Sequence, residues 1–144
     1  MPNQDTFTLK VVTPTGVALE ESVEFVKLPG ENGEIGIYQN HSPSLVKLHA
    51  GKVRVHPEKG DIHKYFIPSG FSQILENEVT ILAPYLENAD EINIERAEKA
   101  KQRALKRLKE SDSDTGINKR RARQALFRAE RRLYVHKISN KKKS

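Results

Sequence analysis

Cysteine and tryptophan are absent from this chain of 144 residues, and methionine occurs once. Without thiols there is no disulfide and no thiolate metal site. Long apolar runs are missing too, so no segment reads as a membrane-crossing helix, and none reads as a signal peptide. The expectation is a soluble, intracellular protein without direct lipid insertion, touching a membrane only through partners. The length suits one ordinary domain, or a small domain with an appendage, and excludes a large enzyme.

Catalytic constellations are equally scarce. The five histidines, at 41, 49, 56, 63 and 136, include no pair four residues apart, so no metal is expected. No G-x-S-x-G elbow occurs, and Ser69-Gly70 after Pro68 reads as a turn before a strand. The carboxylates of the first half fall on separate turns and strands, which gives acid–base chemistry no home. The one glycine-rich stretch, GENGEIG at residues 30–36, carries Glu31 and Glu34 where a phosphate cradle needs bare N–H groups or a lysine. It runs into the β-prone IGIY rather than a helix. A strand-connecting turn fits better, with Gly33 and Gly36 serving positive φ or close backbone approach.

What is present is charge, unevenly distributed. The formal net of +6 divides into 7 Lys/Arg against 11 Asp/Glu over residues 1–87, net −4, and 18 against 8 over residues 88–144, net +10. Two modules with different partners are implied, the basic one suited to an acidic surface, a nucleic acid or a polyphosphate.

The hydrophobic pattern divides at the same place. Short alternating stretches, TFTLKVVTP, VEFVKL, LVKL, KVRV, HKYFIP, FSQIL and EVTIL, are broken by turn residues at Pro14–Gly16, Pro29–Gly36, Pro57–Gly60, Pro68–Gly70 and Glu76–Asn77. They predict a compact sandwich or barrel over residues 1–87. Beyond Pro84 the period becomes helical: Ala97, Ala100, Ala104 and Leu108, then Ala122, Ala125/Leu126, Ala129 and Leu133. Helices are expected at about 90–110 and 118–135, joined by the SDSDTG turn into an antiparallel hairpin within residues 88–138. Alanine stripes bury little area per residue, so the hairpin should be marginally stable by itself. A disordered basic tail is expected at 139–144. Arg96 and Arg103 share a face of the first helix, and Arg128 and Arg132 share one on the second. In an antiparallel pair four guanidiniums could converge on a triphosphate or on a row of carboxylates, and a solvated basic face is the alternative.

Taken in order, TLKVVTPTGVALEESVEFVKLPGENGEIGIYQNHSPSLVKLHAGKVRV, SGFSQILENEVTILA, INIERAEKA and ALFRAERRL resemble the epsilon-subunit family of bacterial F-type ATP synthases, from about Thr8 to about Val135. The resemblance implies an N-terminal β-sandwich and a C-terminal helical hairpin in a non-catalytic subunit of the central stalk, lying at the cytoplasmic face of the bacterial inner membrane. By the same resemblance the GEIG turn and the segment after it form the rotor surface, through Glu34, Ile35, Gly36, His41 and Pro43. Glu34 would face the c-subunit ring and His41 the gamma subunit. The hairpin would lie folded or extend toward the alpha and beta subunits and oppose ATP hydrolysis.

Some members of that family hold ATP as a regulatory ligand around an I/L-D-x-x-R-A motif. Here the stretch is INIERA, with Asn93 in place of the aspartate. Arg96 matches the motif, and Glu87, Arg103, Arg128 and Arg132 fall at the other positions those members use. No cofactor is otherwise implied. A nucleic-acid module built on residues 119–132 is the competing class, disfavoured by the presence of only Phe127 there, with Tyr134 nearby, for stacking.

Overall fold

The computed structural model describes residues 5–110 and 116–141. The chain divides into two units, Met1–Asn88 and Ala89–Ser144.

Among the described residues the first unit has nine strands: β1 (Phe7–Thr13), β2 (Gly16–Gly30), β3 (Gly33–Ile37), β4 (Ser44–Leu48), β5 (Gly51–Pro57), β6 (His63–Ile67), β7 (Gly70–Leu75), β8 (Glu78–Leu82) and β9 (Glu87–Asn88). Alternation produces the sandwich. In β1 the odd residues Phe7, Leu9 and Val11 are buried, and in β5 Val53 and Val55 are, while their neighbours reach the surface. β2 joins the two layers. Its first half pairs with β1, and its second half pairs with β3 and β5. From β1 the order runs through β8, β7 and β4 on one side, and from β2 through β5, β6 and β9 on the other. All pairings are antiparallel except β1 with β8. Leu9, Val26, Leu28, Val55, Ile67 and Ile81 are fully buried between the layers.

Turn chemistry sets the register. Glu76 and Asn77, at φ 50° and 62°, make the two-residue β7–β8 hairpin that needs positive φ at both positions. Gly70 has no room for a side chain: a Cβ there would lie 2.5 Å from the Leu82 carbonyl oxygen. The break expected over Pro29–Gly36 is much shorter in the structure. Pro29 and Gly30 end β2, Gly33 begins β3, and only Glu31 and Asn32 turn. Cross-strand pairing with Val26–Gly30 draws GEIGI into the sheet, an interaction that local turn propensity does not report.

The second unit begins with a 3-10 turn, Ala89–Glu91, followed by α1 (Ile94–Glu110) and α2 (Gly116–Lys141). The expected start near 90 is corrected. Asn93 caps α1, its side-chain oxygen accepting from the Arg96 N–H at 3.0 Å, so the α-helix cannot begin earlier. Ala97 and Ala104 are buried, as are Ala122 and Ala129. The helices run antiparallel, because the end of α2 returns to the 3-10 turn: His136 Nδ1 donates to the Ala89 carbonyl at 2.9 Å, and Ser139 Oγ donates to Asp90 Oδ1. Those contacts also carry α2 past the expected end at 135, so residues 139–141 are helical and not part of a disordered tail. Residues 142–144, and the expected turn residues 111–115, lie outside the described residues.

Candidate functional site

The GENGEIG hairpin shows how local sequence shapes a surface. Gly33, at φ 129°, takes a conformation that L side chains rarely adopt, and the Glu31 N–H donates to the Lys47 carbonyl at 2.9 Å, tying the tip to β4. Glu34 projects outward, with its Oε2 3.2 Å from Lys27 Nζ, and Glu31 meets Lys47 at 3.7 Å. Both pairs are solvent-exposed and therefore weak. A basic partner could take either carboxylate at little cost.

Ile35 does not join that surface. It is half-buried and packs against the core, so it anchors the strand. Gly36 is exposed, and a Cβ there would lie 2.9 Å from Cε2 of Phe25, so the bare glycine makes room for that ring. After β3 the chain leaves the sheet through Asn40, in the left-handed region at φ 60°. The Asn40 N–H donates to Asn77 Oδ1 at 3.4 Å, while Asn77 Nδ2 donates to the Thr6 carbonyl at 3.0 Å. These bonds fix the loop to the β7–β8 turn. His41 is exposed, its Nδ1 donating to the Ser42 carbonyl at 2.8 Å, and Pro43 is exposed beside it. Glu34, Gly36 and Tyr38 are exposed at alternate positions and residues 40–43 are exposed throughout, so the exposed run from Glu34 to Pro43 is broken only at Ile35, Ile37 and Gln39. Tyr38, 65% exposed, and Leu45, 75% exposed, extend it. Sequence reasoning passes over both, because the GIY and SLV patterns mark them only as strand residues.

The arginines belong to the second unit. Arg96 and Arg103 each precede a buried alanine of α1, Ala97 and Ala104, and Arg128 precedes the buried Ala129 of α2. At 100° per residue, side chains just before the seam fall on the same flank of both helices when these run antiparallel. Arg132 lies one turn beyond Arg128 on that flank and is half-buried. Arg96, Arg103 and Arg128 make no ion pair among the described residues. Asn93 is committed locally, its side-chain oxygen capping α1. Glu87 is on β9, in the other unit.

The described residues contain no group of three or more metal-ligating side chains, and no helix among them is long and apolar enough to cross a membrane.

Two family models match this chain. One, described as the ATP synthase, Delta/Epsilon chain, beta-sandwich domain, covers residues 6–89, and the other, the long alpha-helix domain of the same chain, covers residues 90–137. The ATP synthase epsilon chain of Desulfitobacterium hafniense strain Y51 is 44% identical over 128 residues, 89% of this chain and 94% of that one. That of Syntrophomonas wolfei is 37% identical over 130 residues, 90% and 93%. Among solved structures, a chain of the Euglena gracilis mitochondrial ATP synthase (OSCP/F1/c-ring) superposes with a TM-score of 0.76 at 24% identity, over 87% of this chain and 78% of that one. A chain from the central stalk and c-ring of the Tetrahymena thermophila enzyme gives 0.69 at 15%, over 90% and 95%. Both structures share the fold.

Proposed function

Since the chain belongs to the ATP synthase delta/epsilon family and is a non-catalytic central-stalk subunit of that enzyme, we propose that its β-sandwich seats on the rotor through the exposed run from Glu34 to Pro43. The observation carrying this reading is the fixed geometry of that run: a hairpin holds it at one end and the Asn40–Asn77 bond at the other. Its partners are the gamma subunit, at His41, and the polar loops of the c-ring, at Glu34. The site of action is the cytoplasmic face of the bacterial membrane, reached through those partners without lipid insertion.

The test is affinity for ATP synthase stripped of this subunit. Glu34→Lys sets like charge against a basic loop, and with His41→Ala it should weaken binding roughly tenfold or more. Unchanged affinity in both variants would remove the surface from the account.

For the second unit we infer a regulatory arm. Its net charge of +10 over residues 88–144 suits contact with acidic segments of the alpha and beta subunits, and through it the arm would oppose ATP hydrolysis. Alanine-seamed helices give up little buried area on separating, so one differential ligand suffices to shift folded against extended states. The arginine flank favours a nucleotide polyphosphate, with ATP as the regulatory ligand of the folded arm. Three guanidiniums without acid partners among the described residues sit on one flank, and Asn93 supports the site by capping α1 rather than by binding the base. Calorimetric titration of ATP into the protein should give heat that Arg128→Ala abolishes. Equal heat from parent and variant would place the nucleotide elsewhere.

A further inference from the structure

Arg54 stands in a row of cations. Lys27 on β2 lies opposite Arg54 on β5, and Arg54 lies opposite Lys64 on β6. Val26, Leu28, Val53, Val55 and Tyr65, their neighbours along the strands, face the core, so all three cations occupy the outer face. Like charges directly opposite one another destabilise a sheet. Lys27 has Glu34 as its counter-ion. The Arg54 side chain has no hydrogen bond or ion pair with the described residues, and its Nε is shielded from water without an acceptor among them.

The surface around Arg54 opens into a cavity of about 670 Å³, lined also by Glu24, Phe25, Tyr38, Gln39 and His56. The β2–β5 register slips between Val23 and Phe25, which makes Glu24 the extra residue of a bulge and sets Phe25 on the outer face. The Phe25 ring lies 4.6 Å from Tyr38 and meets His56 edge-on at 5.0 Å. Asp5, also on the rim, accepts from Gln39 Nε2 at 3.2 Å.

We propose that this cavity is a carboxylate-binding site, in which Arg54 receives a planar, singly charged carboxylate and the Phe25–Tyr38 pair receives the apolar body carrying it. A guanidinium fork matches a carboxylate edge to edge. The rim carboxylates of Glu24 and Asp5 select against a doubly charged phosphate, which would stand close to both. The aromatic floor adds apolar contact for a ring or aliphatic stem. Two sources carry this chemistry: a free carboxylic acid, or an acidic side chain of a neighbouring subunit, since Tyr38 and Gln39 belong both to the cavity and to the exposed run from Glu34 to Pro43.

The experiment is an NMR titration of the full-length protein at constant ionic strength with benzoate, acetate and inorganic phosphate. Saturable shifts at Arg54 Nε–H, Tyr38 and His56 are expected, tightest for benzoate and weakest for phosphate. Arg54→Gln should weaken benzoate roughly tenfold or more, as the loss of a charged hydrogen-bonding partner does. Glu24→Gln, which leaves the guanidinium in place, should admit phosphate. Assembly of Arg54→Gln into subunit-depleted ATP synthase separates the sources: weakened assembly assigns the carboxylate to a neighbour, and unchanged assembly with benzoate binding assigns it to a free acid. The titration uses the isolated chain, so it stands whatever becomes of the rotor interface. Identical titrations of parent and Arg54→Gln, or no saturable shift together with unchanged assembly, would overturn the site.

Discussion

Single side chains decide several local outcomes. Asn93 holds the first turn of α1 through one hydrogen bond, so Asn93→Ala should cost about 1 kcal/mol of helix stability, read as lost helicity in circular dichroism. Asn93→Asp keeps the acceptor and adds a negative charge at the positive end of the helix. It should be neutral or stabilising by about 0.3–1 kcal/mol. At Gly70 the constraint is backbone, since a Cβ would stand against the Leu82 carbonyl. Gly70→Ala must therefore shift a strand, and a loss of about 1–3 kcal/mol in urea unfolding is expected. Tyr65 gives a pH signature. Burial, and secondarily the Glu21 carboxylate, hold its phenol above the ordinary 10.0. Above that pH the unfolded chain releases the proton before the folded chain does, so stability falls as pH rises from 10.0 through the folded value. Below it, both states keep the proton and the effect vanishes. Tyr65→Phe should lack this alkaline component, which denaturation across that range would reveal.

At the scale of elements, the alanine seam sets what the hairpin tolerates. Ala104 is buried on α1, so Ala104→Leu overpacks the contact at a cost of about 1–3 kcal/mol and should lower helicity without touching the sandwich. Retained helicity would mean the helices are free to separate there. Period carried most of this architecture in the sequence: alternation marked β1 and β5, and alanines at helical spacing marked α1 and α2. Long-range pairing was beyond it. Nothing local in LPGENGEIG tells that Pro29 and Gly30 pair back onto Gly33 and Glu34, and nothing local announces that His136 and Ser139 will extend α2. The candidate site divided in the same way. Glu34, His41 and the arginines stood out by residue type and resemblance, whereas Arg54 became visible only when β-sheet register set it between Lys27 and Lys64.

On the scale of the whole molecule, an acidic sandwich is followed along the chain by a basic hairpin. Residues 1–88 contain their own core, so a chain truncated after Asn88 should still unfold cooperatively and bind the rotor with undiminished affinity. The hairpin's action is electrostatic by this account. The suppression of ATP hydrolysis proposed for the hairpin should weaken as ionic strength rises, and the truncated chain should show none. The absence of cysteine makes a direct test of that rotor seating simple, because any introduced thiol is unique in this chain. Tyr38→Cys and Pro43→Cys, each carrying a short photoreactive cross-linker, would be assembled into the complete enzyme, with Lys59→Cys from the β5–β6 turn as the control. Seating through the run from Glu34 to Pro43 predicts adducts with the gamma subunit or the c-ring from positions 38 and 43, and none with those subunits from 59. Adducts to alpha or beta alone, or none from 38 and 43 in an assembled complex, would contradict it.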